Sequence, residues 1–471
     1  MPRSGADVVE FIAALDRRIP EWLEELSVPG AAVAVIEGGE VVHLRGYGLA
    51  DVARAAPVTP QTGFNVGSIS KAVTAWGVLR LVEQGRLDLD APVERYLTRW
   101  HLPPSEFDVS GVTVRRLLSH TAGLSLGGYR GWADPDSVPT LEQSLSGRTN
   151  GAGDVRLVAA PGSRWDYSGG GYTLLQLLVE EVTGRPFADY MRDEVLVPFG
   201  MTRSTFALTP DILAAAARPY DELAEEMAPP RFAELAAAGL YTTPEDLARF
   251  ALALLPGGGG GVLRPATVDT MLAVVPGTEG NWALGHSVVE FPDGQRRVGH
   301  GGGNPGWQAN VWAGRDARDG LVVVTNASDG WNVVNQVVAE WINWKSGTAR
   351  PIRKSVATAL IGALHEGGAA AATARYAALK ADRRDEYVFD EGELNRLGYA
   401  LLHKGRVADA ITLFELNAQE YPEAWNPYDS LGDAYMEAGD TEAAIRSYQR
   451  SLELNPENEN AKRNLRILAE R

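Results

Sequence analysis

The sequence contains no cysteine among its 471 residues. Disulfide bonds, thiolate nucleophiles and cysteine-ligated zinc are therefore excluded, although a chain without cysteine fits either an oxidising or a reducing compartment. Basic residues are also in deficit, because 44 lysines and arginines face 61 aspartates and glutamates, for a net charge of −17. A surface of this sign repels polyanions, so we expect neither nucleic acid nor an anionic membrane as a partner.

Long apolar runs and metal-binding patterns are missing as well. No apolar stretch approaches the roughly 18 residues that a membrane-spanning helix needs. The seven histidines show no H-E-x-x-H spacing, so we expect no metal and no cofactor. Charged residues interrupt the apolar ones over residues 1–26, which predicts an amphipathic helix rather than a signal peptide and makes the cytoplasm the expected location.

Apolar periodicity predicts a large α/β (α+β) domain followed by a helical tail. Helical patterns fill the middle of the chain, and the simplest arrangement is one mixed sheet with a helical insertion. We expect this domain over 1–348, a helical linker over 349–385 and repeats over 386–471. The predicted strands lie near both ends of the large domain, at 31–36, 41–45, 288–291, 297–300, 310–313 and 321–325, and the predicted helices include 68–83, 112–119, 172–183 and 243–255.

The tail contains an internal repeat with an offset of 34 residues. Its period and its small and aromatic residues resemble the tetratricopeptide family, which implies a protein partner or self-association through the tail. Two repeats are fewer than the usual minimum of about three, so we expect them to pack on other parts of the chain. The matching residues are Leu397, Gly398, Ala400, Gly405, Ala410, Ile411, Phe414 and Pro422, which recur as Leu431, Gly432, Ala434, Gly439, Ala444, Ile445, Tyr448 and Pro456.

The most informative candidate site is the segment from Ser68 to Lys71 at the start of an apolar helix pattern. A serine and a lysine three residues apart share one helix face, and the helix dipole favours negative charge at the first turn. A buried lysine with a lowered pKa can accept the serine proton. By itself the pattern is weak, because serine is a common helix cap. Ser70 either faces the site or caps the helix.

Two further segments strengthen this candidate. Tyr167-Ser-Gly169 precedes an apolar helix, and His300-Gly-Gly-Gly303 ends a predicted strand. In this order the three segments resemble the S-x-x-K, Y-x-N and K-T-G or H-x-G motifs of the serine β-lactamase and penicillin-binding-protein superfamily. The resemblance covers residues 8–346 and is strongest to the class C-like branch, which includes esterases, D-amino-acid peptidases and acyltransferases.

This resemblance implies a β-lactamase/transpeptidase-like fold, with an antiparallel sheet flanked by helices and an all-helical subdomain. It implies Ser68 as the acylated nucleophile and Lys71 and Tyr167 as proton carriers, with the first base left open. The backbone N–H groups of Ser68 and Gly303 would form the oxyanion hole. The residues expected to bind substrate are His300, Gly301, Gly302, Gly169 and Trp307.

Two departures from the family pattern bear on substrate choice. Gly169 replaces the asparagine of Y-x-N, and the third motif has no hydroxyl after His300. Both remove polar contacts typical of β-lactam recognition, which favours a hydrolase of esters, amides or peptides, or an acyltransferase with an amine or alcohol acceptor. The alternative from another class is a non-catalytic scaffold that acts through the repeat tail.

Several residues near these motifs have simpler interpretations. Residues 123–127 match the G-x-S-x-G nucleophile elbow, but no strand is predicted before them, so a loop is expected. We interpret His120 as a hydrogen-bonded structural residue and Tyr172 as a core residue. Tryptophans near segments expected to rim the site are Trp132, Trp165, Trp282 and Trp307.

Overall fold

The computed structural model describes residues 5–258, 261–278 and 281–470, and these divide into two compact units. The first unit comprises the chain up to residue 20, residues 28–221 and residues 226–350. The second comprises residues 21–27, 222–225 and 351–471. The segment expected to be a linker therefore falls within the second unit, where it forms a long helix.

The elements are numbered in chain order. Strands β1–β11 are Gly30–Glu37, Glu40–Asp51, Ala56–Pro57, Phe64–Asn65, Tyr241–Thr242, Ser287–Glu290, Arg296–Asn304, Trp307–Gly314, Asp319–Thr325, Lys354–Ser355 and Tyr387–Val388. Helices α1–α17 are Gly5–Glu25, Ile69–Glu83, Val114–Leu118, Leu141–Leu145, Gly169–Thr183, Phe187–Met191, Pro210–Ala215, Leu235–Ala238, Pro244–Ala253, Pro265–Leu272, Trp331–Ser346, Val356–Asp382, Glu391–His403, Val407–Glu420, Trp425–Ala438, Thr441–Leu454 and Glu459–Ala469. Helix α12 is interrupted by non-helical backbone at Gly367 and Gly368.

A seven-stranded sheet in the order β3-β2-β1-β9-β8-β7-β6 organises the first unit. Its two halves come from opposite ends of the unit and meet where β1 pairs with β9, with Ala31 opposite Thr325. Every neighbouring pair is antiparallel, as the family resemblance implies, so the expectation of a mixed sheet was wrong. Strands β1 and β9 are buried almost throughout, which explains their uninterrupted apolar sequences.

The main core lies on one face of this sheet. Alternate residues Ala32, Ala34 and Ile36 of β1 join a continuous apolar cluster with α2, α5 and α9. Helix α2 is buried on all sides, so its sequence is apolar around the whole circumference. The buried position of α2 places Ser68 and the first turn of the helix next to β7, near the edge of the sheet.

The predicted elements are present with altered ends. The largest difference is at β2, which was predicted to end at residue 45 and continues to Asp51. Strand β7 continues to Asn304 through three glycines, whereas glycine is unfavourable in strands and the prediction stopped at His300. Residues 123–127 follow helix α3 and form a loop, as expected. The glycine-rich sequence of residues 256–261 predicts a loop, and residues 259 and 260 of it lie outside the described residues. No helix in the described ranges is long and apolar enough to cross a membrane.

The second unit shows why the 34-residue repeat has its particular residues. In the helix pairs α13–α14 and α15–α16, a glycine on the first helix lies against an aromatic ring on the second. A Cβ atom at Gly398 would lie 2.4 Å from the Phe414 ring, and one at Gly432 would lie 2.6 Å from the Tyr448 ring. Because only glycine leaves room for the ring, the two positions recur together.

A buried ion cluster closes the end of the sheet away from the glycines of β7. The guanidinium of Arg297 is fully buried and donates to Asp319 at 2.7 and 3.1 Å and to Asp293 at 2.7 and 3.0 Å. Lys345 pairs with Glu37 and, at 3.0 Å, with Asp319. The cluster joins β1, β7, β9 and α11. Removing one partner from such a group leaves an opposite charge buried without compensation.

We predict that Arg297→Ala lowers the free energy of unfolding by about 3–5 kcal/mol, because Asp293 would lose its bonds to the guanidinium and Lys345 would be the one cation left in the cluster for Asp319 and Glu37. The neighbouring Arg296→Ala is a matched control, since Arg296 has a 71% exposed side chain and lies 3.9 Å from Glu290. It should cost less than about 1 kcal/mol. Urea unfolding followed by circular dichroism measures both, and equal losses would contradict the assignment.

Candidate active site

Ser68 lies immediately before α2, yet its side chain does not cap the helix. Its hydroxyl instead accepts a hydrogen bond from Lys71 Nζ at 3.0 Å. The side chain is half-buried and is close enough to the Tyr167 phenol to lower the pKa of that group. The three residues that the sequence singled out therefore lie together, although Tyr167 is far from the other two in the chain.

Lys71 is the buried cation of this site, with only 2% of its surface exposed. Its Nζ also donates to the backbone carbonyl of Ala237 at 2.8 Å. Burial lowers its pKa to about 7, because the apolar surroundings disfavour the ammonium form. Near neutral pH, a substantial fraction of Lys71 is therefore a neutral amine with a lone pair.

The pKa of Tyr167 is shifted away from neutral pH, whereas that of Lys71 is shifted toward it. Burial raises the pKa of its phenol, and the hydrogen bond to Ser68 offsets only part of this rise. The Lys71 ammonium lies 5.1 Å from the centre of its ring. Tyr167 is therefore a protonated phenol at neutral pH, and its environment does not lower its pKa toward 7.

Helix α8 supplies acceptors that the sequence did not indicate. Besides Ala237, the carbonyl of Ala238 accepts from Asn65 and Asn304 at 3.2 and 3.1 Å. The carbonyl of Ala236 accepts from Thr74 at 3.3 Å. These bonds hold three consecutive carbonyl groups of α8 along one side of α2 and β7. Backbone carbonyls have no sequence signature, so only the fold could show them.

Ser70 belongs to this supporting structure rather than to the site. Its hydroxyl is fully buried, donates to the Gly67 carbonyl at 2.6 Å and accepts from the Leu240 N–H at 2.9 Å. Of the two alternatives for this residue, neither a site-facing hydroxyl nor a simple cap describes it. It joins the first turn of α2 to the segment after α8.

The unpaired edge of β7 faces the start of α2. Strand β6 pairs with β7 only as far as Gly299. Beyond that point Gly303, which is opposite Gln308 and next to the hairpin turn, directs its N–H away from β8. Gly67 has φ = +49°, and a Cβ atom there would lie 2.6 Å from Gly303 N. The peptide groups of Ser68 and Gly303 are thus brought together.

Gly302 makes this close approach possible. A Cβ atom on Gly302 would lie 1.9 Å from the Val66 carbonyl oxygen and 3.1 Å from Ile69 N. A Cβ atom on Gly301 would meet only side-chain atoms, the far end of the Trp331 ring at 3.2 Å and Asn310 Nδ2 at 3.7 Å. The glycine run therefore serves packing of the strand against α2, with the tightest requirement at Gly302.

Four aromatic side chains form a cluster with the Tyr167 ring. They are those of His120, Trp165, Trp282 and His300. Trp282 is 9% exposed, and its ring centre lies 5.1 Å from that of His120, 5.3 Å from His300 and 5.9 Å from Tyr167. Trp165 lies 5.7 Å from Trp282. Of the four tryptophans expected near the rim, Trp165 and Trp282 are the two in this cluster.

His120 and His300 are both neutral members of the cluster. His120 Nδ1 accepts from the Ser168 N–H at 3.0 Å, as expected of a structural histidine, and burial holds its pKa well below 6.5. His300 Nδ1 donates to the Gly301 carbonyl. Burial, followed by the nearby charge of Lys71, lowers the His300 pKa to about 3.

Gly169 and Trp307 were both expected to bind substrate, and they pack against different parts of the protein. A Cβ atom on Gly169 would lie 3.2 Å from the Tyr129 ring, so this aromatic side chain occupies the space next to it. Trp307 is only 1% exposed and packs edge-on against Phe64 and Tyr241 in the core. The prediction that Trp307 binds substrate was therefore wrong, because its ring does not reach a surface.

Tyr172 and Trp132 complete the comparison with the sequence predictions. Tyr172 is buried and donates to the Leu118 carbonyl at 3.0 Å, as expected for a core residue. Trp132 is half-buried, and its backbone pairs with Arg231. Over the ranges that the structure describes, no group of three or more histidine, aspartate or glutamate side chains could hold a metal ion.

Comparison with known proteins agrees with this geometry. The sequence profile of the Beta-lactamase family matches residues 15–340, and that of the TPR repeat matches residues 432–465. The chain therefore belongs to the beta-lactamase family, whose members are serine hydrolases, and carries a C-terminal tetratricopeptide repeat. The match to the first profile covers both halves of the sheet and every motif of the site.

One relative is PbpX of Bacillus subtilis (strain 168), a putative penicillin-binding protein. The two chains are 30% identical over 256 residues, and this stretch covers 53% of this chain and 61% of PbpX. The chain thus spans less than two thirds of this relative. The octameric penicillin-binding protein homologue from Pyrococcus abyssi superposes with a TM-score of 0.61 at 26% identity, over 72% of this chain and 79% of that one. A D-stereospecific amidohydrolase from Streptomyces sp. shares the fold, with a TM-score of 0.57 at 24% identity, over 72% and 99% of the two chains.

We predict that Gly302→Ala slows covalent modification of Ser68 by at least about 100-fold, because the methyl group would displace β7 from the first turn of α2. Gly128→Ala is the matched control, since a Cβ atom there meets nothing within 4 Å. The rate of adduct formation with a fluorophosphonate, followed by intact mass, compares the two. A variant that reacts as fast as wild type would show that this approach is not required.

Proposed function

We propose that this member of the beta-lactamase family is a serine hydrolase that cleaves an ester or amide through an acyl-enzyme on Ser68. The observation that carries the proposal is the hydroxyl of Ser68, which does not cap the helix, accepts a hydrogen bond from the buried Lys71 and neighbours the Tyr167 phenol. A nucleophile next to a base with a lowered pKa is the arrangement that covalent catalysis by serine needs.

In this proposal Lys71 is the first base. A neutral Lys71 can donate one N–H to the Ala237 carbonyl and direct its lone pair at the Ser68 hydroxyl, 3.0 Å away. Tyr167 would have to lose its proton to act as a base, and burial raises its pKa. Tyr167 is therefore assigned the role of acid, which donates a proton to the leaving group.

The chemical steps balance with these groups alone. Ser68 Oγ forms a bond to the substrate carbonyl carbon as its proton moves to Lys71 Nζ. The negative charge on the carbonyl oxygen is stabilised by the N–H groups of Ser68 and Gly303. The bond to the leaving group then breaks, Tyr167 protonates it, and Lys71 returns the proton to Tyr167. Water cleaves the acyl-enzyme, or an amine or alcohol acceptor does so in the acyltransferase alternative.

The helical repeats of the second unit support a second candidate function. The TPR match and the repeated glycine–aromatic pairs support a role in binding a protein, because such repeats present a groove to a peptide. In this reading residues 386–471 bind a partner or a second copy of the chain. Retention of that partner by a chain that fails to form a Ser68 adduct would favour a scaffold over an enzyme.

We predict that a fluorophosphonate adds once to the wild-type chain and not to Ser68→Ala, because Ser68 is the one serine in the described parts of the chain that is hydrogen-bonded to a lysine with a lowered pKa. Ser125→Ala is the matched control, since Ser125 lies in the G-x-S-x-G segment and its hydroxyl donates to the Asp154 carbonyl. It should label normally. Intact mass reads the adduct, and a panel of p-nitrophenyl esters, D-amino-acid amides and a β-lactam identifies the substrate.

Loss of the adduct in Ser125→Ala, or an adduct retained in Ser68→Ala, would contradict the assigned nucleophile. The absence of both adduct and turnover in wild type would overturn the enzyme proposal. Products formed with and without an added amine acceptor distinguish hydrolysis from acyl transfer.

We predict that acylation becomes faster as the pH rises through about 7 and then levels off, because neutral Lys71 is the reactive form. Below that pH, kcat/KM should fall about tenfold per unit as Lys71 becomes protonated. Tyr167→Phe should be slower but keep this pH dependence, whereas Lys71→Arg should lose it. A profile that changes in Tyr167→Phe and persists in Lys71→Arg would make Tyr167 the base.

A further inference from the structure

We propose that Trp282, packed edge-on against His300, makes the site select leaving groups that carry no carboxylate, whether phenol, alcohol or amine. The inference rests on the proposed acyl-enzyme function and names the substrate class of that site. It assigns a specificity-determining role to a residue outside the three sequence motifs.

The first step is the hydrogen-bonding character of His300. Its Nδ1 must carry the proton, because it faces the carbonyl oxygen of Gly301, which can only accept. In the neutral ring, Nε2 is therefore a lone-pair acceptor. This atom is buried and has no hydrogen-bond partner among the described residues. A carboxylate is also an acceptor, so the two groups cannot pair.

The second step is the aromatic ring that packs against His300. Trp282 meets His300 edge-on, with ring centres 5.3 Å apart and planes at 87°, and meets Tyr167 in the same way at 5.9 Å and 82°. It stands beside the phenol proposed to protonate the leaving group. A leaving group in this part of the site therefore meets an indole face or edge and not a charged side chain.

The third step concerns the positive charge that a carboxylate would need. Lys71 is the nearby cation, and its Nζ is already engaged by Ser68 and the Ala237 carbonyl. Charging His300 is opposed by burial, by Lys71 and by His286. His120, on the other side of Trp282, is likewise kept neutral. A carboxylate would lose its hydration here without an opposite charge in return.

The test uses two aryl esters of phenylacetic acid whose leaving groups are meta-hydroxybenzoate and meta-hydroxybenzamide. They differ in charge but little in shape, and each rate is divided by its hydroxide-catalysed rate to remove the difference in intrinsic reactivity. We expect wild type to prefer the carboxamide ester by at least about tenfold in kcat/KM. Intact mass monitors acylation of Ser68 with both.

Variants assign the preference to the two residues. Trp282→Phe should retain it, Trp282→Ala should reduce it, and the double variant Trp282→Ala/His300→Lys should reverse it by placing a reachable cation there. Trp425→Ala is the control for removal of a tryptophan, because Trp425 is 38% exposed and lies in the second unit. It should keep the wild-type preference. Circular dichroism and melting temperature confirm that each variant is folded.

Equal normalised kcat/KM values for the two esters, or a preference for the carboxylate, with Ser68 acylated, would overturn this inference and leave the proposed function intact. A preference unchanged in folded Trp282→Ala would remove the role of Trp282. If neither ester acylates Ser68, the proposed function fails, and this inference fails with it.

Discussion

The site depends on a lysine that is buried beside a serine. The ammonium form of Lys71 is costly where it lies, and the bond to the Ala237 carbonyl reduces that cost without supplying a countercharge. A carboxylate in the place of that carbonyl would stabilise the charged form and return the pKa toward its usual value. A neutral acceptor fixes the position of Nζ and leaves it able to give up its proton. The use of a backbone carbonyl is thus a requirement of the chemistry.

Much of the surrounding structure serves to keep that arrangement in place. Helix α8 is only four residues long, and its carbonyls are held by side chains from α2, β4 and β7. Gln176 of α5 adds two bonds, to the Ala233 carbonyl and from the Ala236 N–H. The sheet brings β7 to the first turn of α2, and Gly302 sets the distance. Displacement of any one of these would move Lys71 or the glycines of β7 away from Ser68.

The fold and the central residues could be predicted because their signals are local or belong to ordered motifs. Apolar periodicity located the strands of both halves of the sheet. Ser68 and Lys71 were identified by their spacing at the start of a helix, and Tyr167 by the resemblance to the family's ordered motifs. Other features could not be predicted for physical reasons. A carbonyl such as that of Ala237 has no residue-specific signal, and the strand through Gly301–Gly303 contradicts the propensity of glycine. Trp307 and Trp282 have similar sequence surroundings, yet one lies in the core and the other beside Tyr167.

At the two positions where the sequence departs from the family motifs, a neighbouring aromatic residue packs against the replacement. This packing argues against a site that has lost its activity. Where Gly169 replaces an asparagine, the Tyr129 ring lies against the glycine and its hydroxyl bonds to Thr173 at 2.7 Å. Where His300 replaces a lysine, Trp282 packs edge-on against the ring. In each place a packed aromatic side chain stands where the family motif has a polar contact. Burial of Lys71 costs stability, and a site without selection for catalysis would have no reason to keep this lysine buried. In this protein Lys71 is buried within reach of Ser68.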